Sequence, residues 1–153
     1  MSNNTIKVVS ILFAFMIIVL PMGWMLVSTE PPGPYFATES SQVQAALKAT
    51  GLNLCEQTES KWQLSGAQGG NSILISDDCS VQDSGKAIYI HTQKFDSSQN
   101  RDAAVRLVQK SINMNDINGA VYTYGSYVIA VQGPTGGKPI TEVMAQVKAG
   151  LKK

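Results

Sequence analysis

Residues 120–132 read AVYTYGSYVIAVQ. Two runs of β-branched and aromatic residues joined by Gly125-Ser126 have the pattern of a β-hairpin. Glycine at the first linking position suits a type II′ turn, whose twist matches the flanking strands and which needs a positive φ there. This antiparallel pair decides the fold class, and the rest of the chain is read outward from it.

A helix is expected on each side of the hairpin. Upstream, Ser97 or Ser98 can cap a segment in which Ala104, Val105, Val108 and Ile112 recur at helical spacing. Downstream, Ile140, Val143, Met144, Val147 and Leu151 form one stripe, with Lys148, Lys152 and Lys153 near the negative end of the helix. Further upstream, residues 87–95 alternate as a strand and residues 72–76 (SILIS) form a compact apolar one. Residues 52–57 and 61–64 read as two short strands, and the glycine-rich residues 65–71 as a loop. Ser40 or Ser41 can cap a first short helix carrying Val43, Ala46 and Leu47, stopped by Gly51. The order is α-β-β-β-β-α-β-β-α. It points to an α+β domain over residues 40–153, a small antiparallel sheet with helices packed on one face.

The amino-terminal part is different. Residues 8–27, VVSILFAFMIIVLPMGWMLV, form an uncharged run of 20 residues. As a helix rising about 1.5 Å per residue, this run spans about 30 Å, the hydrocarbon thickness of a bilayer. Trp24 falls where an indole is favoured at the headgroup level. Lys7 precedes the run and the first charge after it is Glu30. The expected topology is therefore a cytoplasmic residue 1–7 segment, a transmembrane helix over 8–27 in contact with membrane lipid, and an extracytoplasmic remainder in a single-pass cell-membrane protein. A cleaved secretory signal is the competing reading, but its apolar core is usually about 7–15 residues and ends at a small-residue site that Val27 and Thr29 match poorly. No cysteine follows the run to carry a lipid. Residues 28–39, with Pro31, Pro32 and Pro34, read as an extended spacer.

Cys55 and Cys79 are the only cysteines and both fall in the exported part. In an oxidising compartment such a pair is expected to form a disulfide. A metal site would want more ligands than one histidine, His91, and two cysteines provide.

Other chemistry fits poorly. Residues 133–138 (GPTGGK) lie between a strand and a helix, as a phosphate-binding loop would. Yet Gln132 stands where that motif needs its first glycine, and Pro139 where it needs a hydroxyl. Asp77, Asp78 and Asp83 lack the glycine and closing glutamate of an EF-hand loop. His91 has no suitably placed nucleophile for a triad. No catalytic residue and no cofactor is implied. Lys7 aside, the chain carries 11 basic and 11 acidic residues, so it lacks the basic excess of a nucleic-acid binder.

Tyr122, Tyr124 and Tyr127 flank the hairpin tip and are the candidate partner surface, against the plainer reading of cross-strand packing. The functional expectation is a non-enzymatic, membrane-anchored interaction or accessory subunit with a protein partner in the membrane or envelope. The alternative is a module binding a small ligand or ion beside residues 65–71 or 133–137, whose sign would be a concave pocket with converging polar groups. An apolar amino-terminal segment before a small disulfide-bonded α+β head superficially resembles type IV pilins. However, the run has no preceding glycine cleavage site and no glutamate five residues in, and the prolines interrupt the long helix that filaments pack.

Overall fold

A computed structural model describes residues 30–79, 87–115, 117–134 and 139–152. The elements are α1 (Ser40–Lys48), β1 (Leu54–Ser60), β2 (Ala67–Ile75), β3 (Ile88–Phe95), α2 (Ser98–Met114), β4 (Asn118–Tyr124), β5 (Tyr127–Gly133) and α3 (Ile140–Leu151). The five strands form one sheet in the order β1-β2-β3-β5-β4, with every neighbouring pair antiparallel. The α+β class and the antiparallel sheet agree with the sequence reading. Among the described residues no helix is long and apolar enough to cross a membrane, and the span expected over 8–27 lies outside them.

The hairpin forms as read. Tyr124 pairs with Tyr127 across Gly125-Ser126, and Gly125 has φ +53° while Ser126 does not share the positive φ. One positive φ, at the first position, is the type II′ signature. Ser97 caps α2 by accepting from the Asn100 N–H at 3.3 Å. At α1 the cap is Glu39 rather than a serine, and the Gln42 side chain accepts from the Glu39 N–H.

The sequence order holds except between residues 61 and 71. No strand forms over 61–64, and the glycine-rich stretch read as a loop is the first half of β2. Its glycines serve close approach. A Cβ on Gly70 would run into the Thr92 carbonyl oxygen of β3, so only glycine lets the two strands pair there. Gly69, at φ +148°, sits at the irregularity where the β2–β3 register shifts.

The second correction concerns the layers, since the helices cover both faces. On one face α1 and α3 bury Val43, Leu47, Val143 and Val147 against Ile73, Ile90, Ile129 and Val131. On the other, Ala104 and Val105 of α2 pack on Phe95, Val128 and Ala67, with Trp62 set edge-on to Phe95 at 6.3 Å. Successive strand residues point to opposite faces. The run Val128, Ile129, Ala130, Val131 in β5, at 0–5% exposure throughout, therefore serves both layers. An uninterrupted apolar strand signals a sheet buried on two sides.

Candidate functional site

The cysteines are bridged. Cys55 and Cys79 are joined by a disulfide with their Cα atoms 5.1 Å apart. Cys55 is the extra residue of a bulge between Leu54 and Glu56, and Cys79 has φ +54°, so both ends sit where the backbone departs from regular pairing. The bridge ties the start of edge strand β1 to the chain just beyond β2.

The three tyrosines lie on the α1–α3 face of the sheet. Tyr127 is 3% exposed within the α1–α3 layer, and Tyr122 and Tyr124 are half-buried against it. Phe36 meets Tyr124 edge-on at 5.3 Å, and the Lys148 ammonium lies 4.9 Å from the Tyr122 ring centroid. Their surroundings are those of cross-strand packing, and Tyr127 has almost no surface to offer a partner.

A buried cation missed in the sequence organises the opposite layer. Arg101 is 2% exposed, on the same stripe of α2 as Ala104 and Val105. Its Nη1 donates to the carbonyls of Gly125 (2.5 Å) and Pro34 (3.2 Å), its Nη2 to that of Gly33 (2.7 Å), and its Nε to Asp102 (2.8 Å). The guanidinium also lies 5.4 Å from the Tyr35 ring centroid. Its fork thereby clamps the proline-rich leader to the hairpin turn. Gly33 N–H donates to Thr123 Oγ1, Thr38 N–H to Ser126 Oγ, and Tyr35 Oη to the Phe95 carbonyl. The compact unit accordingly begins at Pro32, so residues 33–38, read as spacer, are part of the domain. The available signal was an arginine on an apolar helical stripe.

A cleft of about 600 Å³ opens on the α1–α3 face, between the start of α1 and the ends of β1, β2 and β3. Ser40 of α1, Glu59 and Ser60 of β1, Lys61, Lys94 of β3 and residues 68–71 of β2 form its walls. The Ser60 hydroxyl is the one buried side-chain polar atom among the described residues without a hydrogen-bond partner. Sequence spacing could not bring Lys61 and Lys94 together, because these walls come from four separate segments of the chain.

Comparison with family models, curated proteins and solved structures returns no match.

On the α2 side of the sheet, the Gln132 side chain meets His91 Nε2 at 2.8 Å, and the ring stacks on Tyr89 at 6.1 Å. Burial lowers the His91 pKa below its ordinary 6.5, which keeps the ring neutral at physiological pH. Near the start of α2, hydrogen bonds from Asn100 and Ser97 hold the Asp96 carboxyl below its usual range. Among the described residues no three histidine, cysteine or acidic side chains form a metal-holding group. Asp83 and residues 135–138 lie outside the described residues.

Proposed function

We propose that this protein is a membrane-anchored, extracytoplasmic interaction subunit, held by residues 8–27, whose folded domain recruits a protein partner without catalysing a reaction. The observation that carries this reading is the disulfide-fastened edge of the sheet. Strand β1 lies at the end of the strand order, and among the described residues no strand pairs its outer edge. Glu56, Gln57, Thr58 and Glu59 are all exposed. A firmly held, unpaired edge is a template for β-strand addition, in which main-chain hydrogen bonds supply affinity and alternate side chains supply specificity. The two glutamates discourage self-pairing and favour a strand carrying basic residues. Export suits the disulfide, because such bridges persist in oxidising compartments.

The test has two parts. A reporter at the carboxyl end should be digested by protease added outside intact cells, and a shielded reporter removes the topology. A photo-crosslinking side chain at Gln57 should capture one reproducible membrane or envelope protein that the same group at exposed Leu107 does not. Equal capture from both positions would dismiss the β1 edge as the docking site.

A second reading, a small-ligand module, has one specific observation in its favour. The cleft lies beside residues 68–71, with convergent polar side chains.

A further inference from the structure

We infer that this cleft binds a small polyhydroxylated molecule through a single phosphate or carboxylate group, with Lys61 and Lys94 as its counter-charges. The inference rests on the ligand-binding reading and gives it a chemical class.

Lys94 lies in the interior of the sheet, where its cross-strand neighbours are Gly69 on one side and Tyr127 on the other. A lysine between a glycine and a tyrosine has no carboxylate opposite it to balance its charge. Neither the Lys94 nor the Lys61 side chain makes an ion pair or hydrogen bond among the described residues. Ser60 also lines the cleft, but, paired with Gly70, it turns its buried hydroxyl to the opposite face of the sheet.

The backbone is open at the same place. Strand β1 ends at the Ser60–Gly70 pair while β2 runs on to Ala67, so Gln68 and Gly69 have no strand partner on that side. Nothing lies within 4 Å of where a Gly69 side chain would begin. The first residue of α1, Ser40, forms part of the wall, at a helix start whose positive end is already offset by the acidic cap Glu39. Glu59 is the opposing charge in the cleft. It favours a single anionic group over several and can accept a hydrogen bond from a ligand hydroxyl.

Amide NMR of the purified full chain, titrated at constant ionic strength with three probes sharing one skeleton, tests the inference. The probes are glucose 6-phosphate, glucuronate and glucose. One of the two anions should shift the Ser60, Gly69, Gly70 and Asn71 amides saturably, and the one that does identifies the group as phosphate or carboxylate. The K61Q/K94Q double variant should weaken that binding at least about tenfold, in line with the loss of charge-assisted contacts. The K110Q variant, at an exposed lysine of α2, should bind unchanged. Should the double variant not give a folded spectrum, K61Q alone, at an exposed position, carries the comparison. Binding of glucose as tight as that of the anions, or anion binding that survives loss of the lysines, would overturn the counter-charge assignment and leave a ligand site standing. Cleft amides that respond to none of the three at millimolar concentration would overturn both.

Discussion

The molecule uses its cations in two opposite ways. Arg101 is buried at 2% exposure, and its guanidinium is occupied by the Gly33, Pro34 and Gly125 carbonyls and the Asp102 carboxylate. The Lys61 and Lys94 side chains stand in an open cleft with no such partner among the described residues. A charge removed from water must be compensated by the protein itself, and the planar, five-donor guanidinium can bridge several carbonyls at once. A flexible ammonium kept in solvent needs no compensation and remains available to a ligand. The contrast separates a structural cation from recognition cations, and each of four measurements bears on it.

The largest effect is expected at Arg101. Arg101→Ala should cost about 4 kcal/mol, because three carbonyls lose their donor and the leader loses its clamp. The urea midpoint should fall, and hydrogen exchange should quicken over residues 33–38. An unchanged midpoint would mean that the leader is held by other contacts. The double replacement Cys55→Ser/Cys79→Ser opens a ring with a sequence separation of 24 and should cost about 3.5 kcal/mol in the chain-entropy account. Here exchange should quicken in β1, beside the cleft, while the leader stays protected. Loosening of both regions together would show that they are one cooperative unit.

A smaller effect belongs to His91. Its folded pKa lies below the unfolded value of 6.5, so the unfolded chain takes up the proton first and stability falls as pH drops below about 6.5. Partial exposure of the ring keeps the loss under about 1 kcal/mol. Unfolding between pH 7.5 and 5.5 should show this slope, and His91→Gln should flatten it. The smallest change is expected for K61Q/K94Q, within about 0.5 kcal/mol of the parent. A loss of 2 kcal/mol, roughly the scale of a buried polar contact, would place these lysines with Arg101 as structural groups.

How far each feature could be read beforehand follows from the range of the interactions that make it. The Gly125-Ser126 turn, the Ser97 cap and the stripe of α3 are local: two to four neighbouring residues supply the geometry, and they form as read. The Cys55–Cys79 bridge was legible because the chain offers no other pairing. The glycines at 69 and 70 were misleading. Their composition resembles a loop, whereas their role is to admit the neighbouring strand at Thr92. The split of the helices between two faces was also missed, although the unbroken apolar run of β5 signals a sheet covered on both sides. The tyrosines at 122, 124 and 127 lie about the hairpin as read, but the partners that cover them, Phe36 and Lys148 among them, are distant in sequence and lay beyond a local reading.

The amino-acid order alone determined the α+β class, the hairpin, the disulfide and the apolar leading run, because each depends on residue type at short spacing or on a unique pair. Only the folded chain decided that residues 33–38 belong to the domain and that Lys61, Lys94 and Ser60 share one cleft. Lys94 is separated from Ser60 and Lys61 by tens of residues, as residues 33–38 are from the hairpin turn. They meet only once the sheet has paired and α1 and α2 have settled on opposite faces, so no periodicity in the sequence records their proximity.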